Sequence, residues 1–95
     1  KLVPTPGHTP GHASVLIESD GESALITGDF LHHPCQFAHP EWSSAPDSDP
    51  AQAIATRRSM YEQLAGSPTL VIGTHFATPT AGHLKKDGDS YRLDV

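Results

Sequence analysis

Cysteine is nearly missing from this chain. Cys35 stands alone among 95 residues, so no internal disulfide can form. That leaves the compartment open, with a lean toward the cytoplasm. Basic side chains are scarce as well: six Lys and Arg face eleven Asp and Glu, a formal net charge of −5. Only Arg57-Arg58 and Lys85-Lys86 cluster. A nucleic-acid surface needs Lys and Arg gathered against phosphates, so none is expected as a partner. No apolar run reaches the roughly 20 residues that cross a bilayer as a helix. No signal-peptide pattern opens the chain, but a segment upstream of Lys1 would carry it, so that absence excludes nothing. An initiator Met and an N-terminal cap are missing too. Lys1 already lies in what reads as a strand, and 95 residues alone bury only a thin core. The expectation is a fragment, or the second half of a larger domain.

Histidine, by contrast, is abundant. There are seven, most of them beside Gly, Pro or another His, a distribution that points to a site built on loops. The stretch VPTPGHTPGH, residues 3–12, repeats Pro-Gly-His. A His pair four apart clamps a metal when both lie on one helix face. Here Pro10 lies between them and Gly7 and Gly11 flank them, so the segment is an ordered turn and the rings need not point together. One ligand is expected, His8 or His12.

The rest of the chain alternates strand and helix signals. Lys1–Val3 is a strand end. Ala13–Glu18 is a strand, with Val15 and Ile17 on one face and Leu16 on the other. Asp20-Gly21 makes a hairpin turn, and Ala24–Thr27 returns as an apolar strand expected to be covered on both faces. Residues 28–49 form a long irregular segment, a length that usually carries function. Asp49 then caps a helix with Pro50 at its first position. Ile54, Tyr61, Leu64 and Ala65 form its buried stripe, and Gly66 and Pro68 end it. Thr69–Ile72 is another buried strand. His83–Val95 reads as strand, Asp87-Gly88 turn and strand, with Tyr91 and Leu93 facing inward. The fold class is α/β, a mixed sheet with one main helix.

Three apolar strands end alike, each with a potential metal ligand beside a glycine: Gly7-His8, Gly28-Asp29 and Gly73-Thr74-His75. Strand-end loops are where α/β folds place their sites. If the strands lie side by side, His8, Asp29 and His75 converge, and two imidazoles with one carboxylate suit zinc. Taken singly, a His after a strand is a satisfied surface residue and a Gly-Asp is a turn. The three matched placements favour metal.

The ordered set Thr5-Pro6-Gly7-His8-Thr9-Pro10-Gly11-His12, Ile26-Thr27-Gly28-Asp29 and Gly73-Thr74-His75-Phe76 resembles the second half of a metallo-β-lactamase-fold hydrolase, an αββα sandwich. The segments GDFLHHPCQ and GTHFATPTAGHLKKDGDSYRL are similar to the branch that holds methyl parathion hydrolase and some acyl-homoserine-lactone lactonases. The resemblance implies His8 as the ligand of the opening turn, with His12 supporting it. It implies Asp29 as a carboxylate bridging two divalent ions, expected to be zinc, and His75 as the last histidine ligand. The family's His-x-His-x-Asp-His motif does not occur in the 95 residues. They therefore form a partial domain, expected to be inactive alone. The implied parent enzyme turns metal-activated hydroxide on a small-molecule ester, lactone or phosphoester. A redox member of the same fold with iron and a flavin domain, and a non-catalytic truncated fragment, are the alternatives.

The remaining candidates divide. His32 lines the pocket or is an exposed loop residue, and His33 shares that ambiguity. His83, after Gly82, is expected to hydrogen-bond toward the site. His39 is ordinary loop. Cys35 is a soft ligand or, more simply, a small buried side chain. Phe30, Phe37, Trp42 and Phe76 either wall an apolar pocket or cover the core.

Overall fold

The computed structural model describes residues 1–42, 47–77 and 80–95. Among these described residues, six strands form one mixed sheet in chain order: β1 (Leu2–Pro4), β2 (Ala13–Ser19), β3 (Glu22–Ile26), β4 (Leu70–Ile72), β5 (Ala81–Asp87) and β6 (Ser90–Asp94). Every neighbouring pair is antiparallel except β3 and β4, which run parallel. Parallel neighbours need a crossover. Here it contains the short α1 (Cys35–Ala38) and the main helix α2 (Pro50–Leu64).

Local chemistry accounts for the boundaries. In the β2–β3 hairpin Asp20 and Gly21 both take positive φ, 52° and 79°, as the tight two-residue turn that matches strand twist requires. Asp49 caps α2 by accepting the Gln52 N–H at 3.1 Å, and Pro50 fills the first turn, where its missing N–H costs nothing. Among the described residues of the long irregular segment there is one helical turn, α1. It is closed by the His33 ring, whose Nδ1 accepts the Cys35 N–H, and by Gln36, whose side-chain oxygen accepts the His32 N–H.

One face of the sheet packs on the helices. Leu25, Val71 and Leu84 meet Met60, Tyr61 and Leu64 of α2, with Phe30, Leu31, Phe37 and Phe76 filling the space between. The aromatic residues Phe30, Phe37 and Phe76 are therefore core rather than pocket wall, and Tyr91 and Leu93 pack against this cluster as expected. The buried stripe of α2 is Ala53, Arg57, Met60, Tyr61 and Leu64, so Ile54 is displaced to its half-buried margin. Tyr61 is fully buried and donates to the Gln36 carbonyl at 3.0 Å, and burial pushes its phenol up.

The other face differs from expectation. Leu25 and Thr27 are buried, but Ala24 and Ile26 are only half covered, and Val15 and Ile17 are exposed. Side chains alternate along a strand, and these belong to the surface away from the helices. That face is apolar, and among the described residues a single helical layer covers only the opposite one.

Candidate metal centre

The opening turn is clamped to the start of α2. The Ser48 and Asp49 N–H groups donate to the carbonyls of His8 and Gly7, each at 2.9 Å, and the Thr56 hydroxyl donates to the Pro6 carbonyl at 2.6 Å. Gly7 takes φ of 134° and lies against Ala53, where a Cβ would come within 2.4 Å of backbone atoms. This close approach leaves His8 projecting from a fixed main chain.

The loops that follow β3 and β4 leave the same end of the sheet, because those strands are parallel. They are tied together: the Gly28 N–H donates to Thr74 Oγ1 at 3.0 Å, and the Thr74 N–H to Thr27 Oγ1 at 3.3 Å. Asp29 and His75 are thereby placed opposite each other, and the His75 Nε2 contacts Asp29 Oδ1 directly. His8 Nε2 stands 3.5 Å from the other oxygen, Oδ2. His32 Nε2 lies 3.9 Å from Oδ1, with its ring stacked on His75 at 5.0 Å between centroids. Ligand atoms of Asp29, His32 and His75 all fall within 4.8 Å of one another. The hydrogen bond from His75 holds the Asp29 carboxyl below the usual range, more than partial burial raises it. Burial, with the His75 charge adding to it, pushes His32 down and favours its neutral, electron-donating form.

His12 has a different task. Its Nε2 accepts the Asp29 N–H at 2.8 Å, and its Nδ1 lies 3.1 Å from the Thr5 carbonyl, which can only accept. Nδ1 also lies 2.9 Å from the Thr5 hydroxyl. Both ring nitrogens thus have protein partners, and the ring packs under Gly28, whose absent Cβ would meet Nε2 at 2.8 Å.

His8, Asp29, His75, His12 and His32 are brought together; His83 is not. It pairs with Leu70 at the far end of β4 and lies, exposed, beside Ile17 and Ala24 on the sheet face away from the helices. A two-residue alternation along β5 puts Gly82 and Leu84 inward and His83 outward. His39 stacks on the half-exposed Trp42 at 4.0 Å and pairs with Glu41, and His33 is exposed. Cys35 is a half-buried free thiol. Two buried charged side chains beside the site escaped the sequence reading, Asp47 and Arg57. The signal for one was present: Arg57 falls on the apolar stripe of α2, where a charge requires a buried partner.

The metallo-β-lactamase superfamily model matches residues 1–75. The chain belongs to the metallo-β-lactamase superfamily. No curated protein sequence matches it. Among solved structures it is similar to the dizinc quorum-quenching lactonase AidC, at 29% identity and a TM-score of 0.90, over 98% of this chain and 32% of that one. It is similar to the hydrolase AbOPH of the β-lactamase superfamily, at 36% identity and a TM-score of 0.89, over 98% of this chain and 33% of that one. An N-acyl homoserine lactone hydrolase, with N-hexanoyl-L-homoserine at its catalytic metal centre, matches at 26% identity and a TM-score of 0.68, over 82% of this chain and 31% of that one. The chain thus spans about a third of the length of these structures. Its six-stranded mixed sheet with one main helix is that part of the metallo-β-lactamase fold. Among the described residues no helix is long and apolar enough to cross a membrane.

Proposed function

We propose that this metallo-β-lactamase chain carries three ligands, His8, Asp29 and His75, of a two-metal hydrolase centre. The single observation behind the proposal is the division of the Asp29 carboxylate. Oδ2 faces His8 Nε2, while Oδ1 faces His75 and His32. A carboxylate with a different imidazole at each oxygen has the donor arrangement of a bridge between two cations, and a nitrogen and oxygen donor set suits zinc. The remaining ligands come from sequence outside these 95 residues, which lack the His-x-His-x-Asp-His motif. On this reading the isolated chain has no hydrolase activity.

When bound, divalent metal supplies Lewis acidity and makes a water-derived nucleophile available near neutral pH. The chain's own residues do the rest. His12 holds the Asp29 backbone through its N–H and so sets the carboxylate's height. His32 stands beside the Asp29–His75 pair with its ring half-buried, in position to contact a bound small molecule. The product-bound lactonases among the similar structures favour an ester or lactone as substrate, with a phosphoester as the neighbouring class.

Metal analysis of two variants of the intact protein tests the ligand assignment. His8→Ala is expected to lose metal. His12→Ala is expected to keep its stoichiometry and lose affinity by about 10–100-fold, as groups behind the ligands typically do. Retention in the first with loss in the second reverses the assignment.

A further inference from the structure

Asp47 and Arg57 form a buried ion pair to which the reading above gives no role. The Arg57 Nη1 stands 3.6 Å from Asp47 Oδ2, and both side chains are 0% exposed. Burying two charges strips both of their hydration, a penalty that a well-packed apolar pair would avoid. Stability alone is therefore a poor account of the pair. Its geometry offers a better one. The other oxygen, Oδ1, lies 3.1 Å from His8 Nδ1.

We propose that Asp47, oriented by Arg57, is a positioning residue that locks His8 in the Nδ1–H tautomer with its Nε2 lone pair turned to Asp29. A neutral imidazole carries one donor and one acceptor. Both ring nitrogens face carboxylates, which only accept, but Asp47 Oδ1 at 3.1 Å from Nδ1 is within ordinary hydrogen-bond range while Asp29 Oδ2 at 3.5 Å from Nε2 lies at its edge, so Nδ1 carries the proton. Nε2 is then the nitrogen left to ligate, and it is the one that stands 3.5 Å from Asp29. A ligating histidine whose other nitrogen donates to a carboxylate is held in both tautomer and ring angle.

Arg57 fixes the carboxylate in turn. Its Nε donates to the Pro40 carbonyl at 2.9 Å, Nη1 to Phe30 at 3.1 Å and Nη2 to Trp42 at 3.2 Å. Those carbonyls belong to the segment that follows Asp29, so the guanidinium is pinned by main chain and presents a donor edge to Oδ2. The same short run, residues 47–49, holds the His8 ring through Asp47 and the His8 and Gly7 carbonyls through Ser48 and Asp49. Main chain and ring are thus gripped from one place.

The tautomer can be read without metal or substrate. In the intact, metal-free protein, at a pH where His8 is neutral, nitrogen-15 correlation spectra are expected to show a protonated Nδ1 and a bare Nε2. Asp47→Asn is expected to reverse this. The donor edge of Arg57 draws the amide oxygen, which turns the amide NH2 toward His8 Nδ1 and moves the ring proton to Nε2. Zinc affinity should then fall about 10–100-fold. The proposal is overturned by a wild-type His8 protonated at Nε2, a measurement that does not depend on the variant folding. It is equally overturned by a folded Asp47→Asn protein with the wild-type tautomer, or with wild-type zinc affinity. The zinc arm rests on His8 being a ligand. Failure of wild-type protein to bind zinc sinks that reading, and the wild-type tautomer still decides the role of Asp47.

Discussion

If Asp29 bridges two metals as proposed, Asp29→Asn is expected to leave the intact protein folded but to strip at least one metal per site and most of its turnover. The change is nearly isosteric and Asn serves turns as well as Asp, so a mere turn residue would tolerate it. Its backbone bond to His12 needs only the N–H, which Asn retains. What is lost is one negative charge and one of two good ligand oxygens. In this structure the two oxygens face different histidines, so neither can be spared without abandoning one side of the site. Metal content, activity against lactone and phosphotriester substrates, and circular dichroism measured on one preparation decide the matter. Two metals with near-normal rates would eliminate the bridging role.

Gly7→Ala is expected to destabilise the chain strongly. The position has φ of 134°, and an added Cβ would approach the Ala53 backbone to 2.4 Å. Helix backbone cannot swing aside as a flexible side chain does. Strained backbone and overpacking together cost on the order of 3 kcal/mol or more. The turn and α2 must separate to relieve the clash, which breaks the bonds from Ser48 and Asp49 and releases His8. The expected result is a lower denaturant midpoint and weakened metal binding in the fraction that remains folded. Gly11→Ala is the control, because a Cβ there meets nothing within 4 Å. Equal midpoints for the two variants would refute this account of the opening turn.

The sheet was readable because its signals are local. Alternation in Ala13–Ser19, the Asp20-Gly21 turn and the Asp49-Pro50 start of α2 each depend on neighbours in sequence, and the structure places them with shifts of one or two residues. The convergence of His8, Asp29 and His75 followed from their common place at strand ends. His83 misled because its Gly-His step was read through the resemblance to the related branch, while the pairing of β5 with β4 puts it at the opposite end of the sheet. Asp47 was hidden for a different reason. Nothing near it in sequence marks it. Its partners are His8, 39 positions away, and Arg57, midway along α2. Coverage of the second sheet face was overestimated in Ala24–Thr27, since apolar composition reports a strand's demand for burial and not whether this chain supplies it.

The parallel pairing of β3 with β4 has a consequence for the order in which the molecule assembles. Asp29 and His75 are 46 positions apart, and the hydrogen bonds that tie their loops have separations of 46 and 47. Hairpins such as β2–β3 close over a few residues, but this pair waits on α2 and the whole crossover, so its loop-closure entropy is met late. The Asp29–His75 constellation is therefore expected to form late in folding, after the local hairpins. A cation that recognises only the finished constellation cannot act as a nucleus. It slows the escape of the chain from its native state and leaves the approach to that state at nearly its metal-free pace.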